Sequence, residues 1–177
     1  MKRIVSVVLA AGGALLLSAA SAQAQVSVGV GGGLALPTGT LKDGVKTGWN
    51  ALANVGYDLP SGLGIRGDFY YAQHKFKGGV DAKFKFAGGL GNLLYNFKSA
   101  GTIHPYVLGS VGFMNAKTDV SGAPSETKIA FGGGAGLKFK IGSDANLFAE
   151  GRYITVNTSG DNANFTPLPV GVSSALR

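Results

Sequence analysis

Four charged side chains are the residues of this sequence best placed for chemistry. Arg66 and Asp68 lie two residues apart in one apolar run, and Glu150 and Arg152 lie two residues apart in another. Alternate residues of an extended strand share a face, so each pair points one way. Because a buried charge is costly unless it is paired, we expect a structural network of salt bridges among the four. A gated polar constriction is the functional alternative.

Catalytic and metal chemistry have weaker support. The chain has two histidines, His74 and His104, and no cysteine, and no histidine pair has the spacing of metal ligands. A hydrolase needs a nucleophile, a base and an orienting acid within hydrogen-bond reach. Ser110 follows His104 by six residues, and six residues of an extended strand span about 20 Å. We therefore predict no enzyme, no metal and no cofactor.

Two kinds of short motif resemble binding sites. Arg66-Gly67-Asp68 spells a tripeptide that integrins recognise on exposed loops, but here it lies within a strand with both charges facing inward. The glycine runs 31–33 and 132–134 do not complete a nucleotide-binding pattern. We interpret these glycines as space for the packing of larger side chains.

Eight runs of alternating residues form the framework for these side chains. In the first run Val26, Val28 and Val30 share one face, with small residues on the other. Such a period of two predicts half-buried β-strands. In the fourth run Phe84 and Phe86 have the opposite parity to Leu93 and Tyr95, which predicts a β-bulge near the glycines at 88, 89 and 91.

The connections between the runs alternate in length. Residues 59–62, 98–102 and 141–144 form short connections, whereas 37–47, 73–82, 115–128 and 157–164 are longer and rich in turn-forming residues. The alternation starts with a long connection. It predicts consecutive hairpins with the long loops at one end and both chain termini at the other.

The first residues are typical of a secretory signal peptide. Lys2 and Arg3 precede an apolar stretch over residues 4–17, and Ala22-Gln23-Ala24 forms a cleavage site. A membrane anchor is the alternative, but the stretch is shorter than the roughly 20 residues of a spanning helix. We predict a signal peptide over 1–24 and one domain over 25–177, in which no apolar stretch approaches the roughly 18 residues of another such helix.

The net charge limits the partners. The charge of +7 falls to +5 without Lys2 and Arg3, that is, 14 basic minus 9 acidic residues. Four lysines lie in predicted loops, where acidic lipid headgroups or surface polysaccharide would meet them: Lys42, Lys46, Lys75 and Lys77. The chain has no basic helix or recognisable nucleic-acid module, so we expect no nucleic-acid partner.

An exported chain of amphipathic strands favours one fold class. Lipid offers no hydrogen-bond partner to an open sheet edge, so membrane-spanning strands must close into a barrel. Bacterial barrels have short periplasmic turns and longer external loops. We therefore predict an all-β, eight-stranded, antiparallel, up-and-down transmembrane β-barrel in the outer membrane, with both termini in the periplasm.

The outward-facing aromatic residues fall near the predicted strand ends. The outer group contains Trp49, Tyr71, Phe113, Phe131 and Tyr153, and the periplasmic group contains Tyr57, Tyr95, Phe97 and Phe139. Two aromatic belts at the membrane interfaces are typical of outer-membrane barrels. The alternative is the aromatic core of an ordinary β-sandwich.

Four segments carry a resemblance to a known group: residues 105–109 (Pro-Tyr-Val-Leu-Gly), 134–139 (Gly-Ala-Gly-Leu-Lys-Phe), 148–153 (Phe-Ala-Glu-Gly-Arg-Tyr) and 167–172 (Pro-Leu-Pro-Val-Gly-Val). In order and spacing the chain resembles the small outer-membrane β-barrels of Gram-negative bacteria, which include the outer membrane protein X, OmpA-barrel, OmpW and opacity-type families. The resemblance implies insertion by the barrel-assembly machinery and contact with outer-membrane lipid and lipopolysaccharide. Such barrels usually end in an aromatic residue, whereas Ser174 stands near that position here, with Leu176 as a possible substitute.

The width of the barrel limits the function. Eight strands enclose little more than their own inward side chains, so we expect a monomeric barrel with a filled lumen and a structural or surface-interaction role through its loops. The alternatives are a narrow channel for small solutes, a lipid A-modifying barrel enzyme, and a soluble lipocalin-like barrel with an apolar lumen.

Overall fold

The computed structural model describes residues 25–78, 82–119, 125–157 and 162–176, and the predicted signal peptide lies outside these ranges. The strands are β1 (Gln25–Thr38), β2 (Gly48–Asp58), β3 (Leu63–Lys75), β4 (Lys83–Asn96), β5 (Ile103–Thr118), β6 (Glu126–Lys140), β7 (Ala145–Val156) and β8 (Ala163–Leu176). One short helix, α1 (Leu41–Gly44), follows β1. Among the described residues, no helix has the length and apolar character needed to cross a membrane.

The eight strands form a closed antiparallel barrel in sequence order. The closing pair joins β1 to β8, from Val26 opposite Leu176 to Thr38 opposite Asn164. The predicted eight-stranded, up-and-down barrel is therefore confirmed. We call the end that carries Gln25 and Leu176 the terminal end, and the end that carries α1 the loop end.

The strands extend further toward the loop end than the sequence predicts. β3 reaches Lys75, β5 reaches Thr118 and β6 begins at Glu126, all within stretches predicted as loops. These stretches are polar, but one face of an antiparallel sheet can lie in water without losing its backbone pairing. Composition alone therefore made these strands too short at the loop end.

The two faces of the barrel differ in polarity as predicted. Large apolar side chains cover the outer wall, where Phe69 and Val111 are 65% and 63% exposed. Charged and polar side chains such as Arg152 and Asn50 lie buried in the lumen. An apolar exterior with charges inside is the reverse of the soluble lipocalin-like alternative.

The prediction of a β-bulge in β4 is wrong. The register with β3 runs without a break from Leu63 opposite Tyr95 to Lys75 opposite Lys83, and the pairing with β5 is equally continuous. Phe86 is fully buried in the lumen, and Phe84 packs against the same cluster. The change of parity in the sequence therefore reflects a lumen that is itself apolar at the loop end.

The pairing between β7 and β8 has one interruption. The two strands are paired from Ala145 opposite Ser174 to Ala149 opposite Val170, and the pairing resumes at Ile154 opposite Phe165. Pro167 and Pro169 occupy the interval, and proline has no backbone N–H to donate.

The phase of the β7–β8 ladder identifies the bonds that are lost. The Ala175 amide donates to the Asp144 carbonyl at 2.7 Å, and hydrogen-bonded pairs in antiparallel sheets recur every second residue. Counting along the strands places Pro169 opposite Glu150 and Pro167 opposite Arg152 at hydrogen-bonding positions. The carbonyls of Glu150 and Arg152 therefore receive no N–H from β8.

We expect that Pro169→Ala creates a new amide that donates to the Glu150 carbonyl. Hydrogen exchange followed by NMR would show this amide protected as strongly as its neighbours in β8. Pro60→Ala, in an exposed turn, is the control and would give a rapidly exchanging amide. Rapid exchange at position 169 would contradict the deduced phase.

Candidate functional site

The strongest internal feature is a cluster of four charges, which we call the lumen network: Arg66, Asp68, Glu150 and Arg152. Arg66 and Asp68 belong to β3, and Glu150 and Arg152 belong to β7, on the opposite wall of the barrel. Strand alternation points all four inward, and all are at least nine-tenths buried. The structure thus brings together the four residues singled out from the sequence.

Each arginine of the network contacts both carboxylates. Arg66 Nη2 lies 2.8 Å from Glu150 Oε2, and Arg152 Nη2 lies 2.6 Å from Asp68 Oδ2, so both bonds cross the lumen. Arg152 Nε donates to Glu150 along β7. Arg66 Nε approaches Asp68 Oδ1 at 2.9 Å, as an ion pair without good hydrogen-bond geometry. Two positive and two negative charges therefore neutralise one another.

Neutral side chains complete the bonding of the network. Tyr106 donates its hydroxyl to Glu150 at 2.7 Å. Asn92 accepts from Arg152 at 3.2 Å and from Ser110 at 2.6 Å, and its amide donates to the Arg66 carbonyl at 2.9 Å. Charged groups removed from water are tolerated when such additional hydrogen bonds satisfy them.

Small residues make room for the large ones, as the sequence predicted. A Cβ at Gly31 would lie 2.8 Å from the Phe148 ring, and a Cβ at Gly134 would lie 2.9 Å from Arg152. The cavity that remains beside Arg66 measures about 20 Å³, which is space for about one water molecule. The lumen is filled at the level of the network.

A second polar group lies nearer the terminal end. Lys138 donates to Asp58 at 3.2 Å and to Asn96 at 3.0 Å, and its ammonium group lies 5.4 Å from the centre of the Tyr106 ring. This group was not predicted from the sequence. The inward parity of Lys138, shared with Asp58 and Asn96, was the available signal.

The predicted belt residues Trp49, Tyr57, Tyr71, Tyr95, Phe97, Phe113, Phe131, Phe139 and Tyr153 all lie on the outer wall, where they are exposed or partly exposed. The rings of Trp49 and Tyr71 lie 5.2 Å apart, and those of Tyr95 and Phe97 lie 5.1 Å apart. Their arrangement in two belts relative to a bilayer stays a prediction.

The residues that suggested adhesive, catalytic or metal chemistry include several that are buried inside the barrel. Arg66 and Asp68 of the tripeptide are buried in the lumen network, and Ser110 donates to Asn92. His74 is fully buried near Phe86 and Phe165, with its Nδ1 atom 3.1 Å from the Lys46 carbonyl. No group of three or more potential metal ligands occurs in the described part of the chain.

The loop end carries most of the positive charge. Eight lysines and three acidic residues among the described residues lie there. Lys85 contacts Asp119 at 2.9 Å and Lys128 contacts Glu126 at 3.2 Å. The hydrogen bond from Lys85 lowers the pKa of the Asp119 carboxyl.

The other six lysines of the loop end have no carboxylate within 4.0 Å in the described ranges, and four of them lie in or next to the first two long connections. We call Lys42, Lys46, Lys75 and Lys77 the loop-end lysine group. Lys77 Nζ donates to the Lys42 carbonyl at 2.6 Å, and all four residues are exposed. These are the four lysines that the sequence analysis assigned to loops.

An apolar cavity of about 290 Å³ lies at the same end. We call it the loop-end pocket, and it is lined by Thr40, Leu41, Gly44, Val45, Phe76, Phe84, Asn162 and Ala163. The sequence alone does not reveal this pocket, because its walls come from three separate connections. A larger groove of about 540 Å³ lies on the outer wall near Val107 and Leu168, on the surface that faces lipid.

We expect Arg66→Met to lower the free energy of unfolding by about 3–5 kcal/mol, because it leaves two buried carboxylates with one arginine. Urea unfolding in lipid vesicles, followed by the fluorescence of Trp49, measures the loss. The double variant Arg66→Met, Glu150→Gln restores neutrality and should recover part of it. An unfolding curve of Arg66→Met equal to that of the wild type would contradict a stabilising network.

Solved structures of other proteins have the same architecture. Neisserial surface protein A superposes with a TM-score of 0.71 at 19% identity, covering 85% of this chain and 97% of that chain. Ail, the attachment invasion locus protein of Yersinia pestis, was solved with the heparin analogue sucrose octasulfate and gives 0.55 at 18% identity, covering 86% and 97%. The N-terminal barrel of Pseudomonas aeruginosa OprF gives 0.51 at 16% identity, covering 85% and 99%. At these identities the likeness shows the fold alone.

The family assignment rests on the sequence as well as the fold. A search of curated protein sequences gives no significant match. Residues 7–174 match the family described as outer membrane protein beta-barrel domain, a range that includes nearly all of every strand. Together with the closed barrel, its apolar outer wall and its filled lumen, this match shows that the chain belongs to the outer membrane protein beta-barrel domain family.

Proposed function

We propose that this protein is a non-enzymatic surface-interaction barrel whose loop end binds anionic groups outside the cell. The observation that carries the proposal is the combination of a filled lumen with a lysine group at one end. A filled barrel in a membrane offers water-soluble partners only its two ends, and the loop-end lysine group has no carboxylate within 4.0 Å in the described ranges.

The proposed orientation places the loop end outside and both termini in the periplasm. Barrels of this class turn tightly on the periplasmic side, and the four-residue turns at 59–62 and 141–144 lie at the terminal end. Residues 1–24 would act as the signal peptide and be removed during export. Outer-membrane lipid and lipopolysaccharide would surround the outer wall of a monomer, after insertion by the barrel-assembly machinery.

Electrostatic attraction supports an anionic partner. Clustered charges of one sign raise the local concentration of oppositely charged groups, and salt weakens the effect. Ail, a structural neighbour, binds a sulfated heparin analogue. For this chain we propose the same class of polyanion, bound by the loop-end lysine group.

We expect the protein in lipid nanodiscs to bind heparin, and Lys42→Gln with Lys75→Gln to weaken binding about fivefold, since two exposed charges contribute about 1 kcal/mol. Isothermal titration at two salt concentrations measures the affinity. Lys98→Gln with Lys140→Gln, at the terminal end, removes the same charge and should leave it unchanged. Equal losses in both double variants would overturn the proposal.

The narrow-channel alternative is tested by conductance. We expect no stepwise conductance from the wild-type barrel in a planar bilayer, because the lumen network and its neutral partners fill the cross-section. The shift in gel mobility on boiling, which folded outer-membrane barrels typically show, serves to verify that the protein in the bilayer preparation is folded. Reproducible conductance steps from the wild-type protein would favour the channel.

A further inference from the structure

Two identical tripeptides form one wall of the loop-end pocket. Lys75-Phe76-Lys77 and Lys83-Phe84-Lys85 lie at the loop-end edges of β3 and β4. Both phenylalanines line the pocket, with ring centroids 6.2 Å apart. Successive side chains of an extended chain point to opposite faces, so the two lysines that flank each phenylalanine point to the face opposite its ring. Aromatic surface and positive charge therefore occur side by side.

The first connection forms the opposite wall and is fixed to the second. Val45 forms an isolated bridge with Phe76 and is 2% exposed. The Lys46 amide donates to the Lys75 carbonyl at 2.7 Å, and the Lys77 amide donates to the Gly44 carbonyl at 2.9 Å. Leu41 of α1 packs against the apolar lumen cluster. These bonds join the first two long connections, so two walls of the pocket are fixed relative to each other.

We propose that the loop-end pocket holds the alkyl chain of a single-chain anionic amphiphile whose head group contacts the loop-end lysine group. The inference goes beyond the proposed function, because it adds a second class of ligand at the loop end. Leu41, Val45, Phe76 and Phe84 offer an apolar lining to the chain. A volume of about 290 Å³ lies at the lower limit of small-molecule sites, about 300 Å³.

Charge complementarity selects this occupant over others. A neutral alkyl chain would gain no attraction from the four lysines, and a sulfated sugar would leave the apolar lining uncovered. An amphiphile with a carboxylate head satisfies both features at once. Apolar burial then supplies affinity, and the lysine group supplies selectivity for the head group.

The test is binding of dodecanoate to the barrel in phosphatidylcholine nanodiscs, measured by equilibrium dialysis with empty nanodiscs as the partition blank. We expect one saturable site for each barrel, and at least tenfold weaker saturable binding of acetate and of dodecanol. Dodecanoate uptake no greater than that of empty nanodiscs would overturn the inference.

A pair of glycine variants locates the site. A Cβ added at Gly44 or at Gly142 meets no atom within 4 Å, and neither residue has a positive φ. Gly44→Trp places a ring at the pocket and should weaken dodecanoate binding at least tenfold, whereas Gly142→Trp, at the terminal end, should not. Equal affinity in the two variants would exclude the pocket.

The two proposals fail separately. Heparin binding that depends on Lys42 and Lys75, without saturable dodecanoate binding, would leave the proposed function intact and remove the amphiphile. Dodecanoate binding that Gly44→Trp abolishes, with heparin binding insensitive to both lysines, would overturn the polyanion partner and retain an apolar pocket.

Discussion

Complete pairing of the backbone is the constraint on which the structure depends. A strand in lipid must satisfy its N–H and C=O groups on both sides, because the bilayer interior supplies no water. The ladder between β1 and β8 meets this requirement by closing the sheet. Closure turns one face of the sheet toward lipid and the other toward a narrow lumen. Outward and inward side chains therefore alternate along each strand. Pro167 and Pro169 interrupt only the ladder between β7 and β8, over a short stretch.

The narrow lumen then determines what fills it. Eight strands leave space for side chains and little else, and the inward residues divide by height into an apolar cluster toward the loop end and a charged layer below it. In the charged layer, each arginine binds a carboxylate on the opposite wall of the barrel. Such crossing pairs tie β3 to β7 and close the lumen with the same bonds.

The same local sequence has different consequences at the two ends. Lys-Phe-Lys occurs at 75–77, 83–85 and 138–140. In the first two the phenylalanine lines the loop-end pocket, whereas in the third Lys138 enters the lumen and binds Asp58. Parity relative to the closed sheet, rather than the tripeptide itself, decides which residue is buried. The loop end thereby gains exposed positive charge beside an apolar cavity.

The sequence by itself determined the fold, the number of strands and the inward direction of Arg66, Asp68, Glu150 and Arg152, because a period of two and alternating connections are local properties of the chain. Only the tertiary structure decided the partners of Lys138, the lumen position of Phe84 and Phe86, and the loop-end pocket. Each of these depends on residues far apart in the chain that meet only when the barrel closes. Periodicity gives the direction of a side chain but not the neighbour it will meet across the lumen.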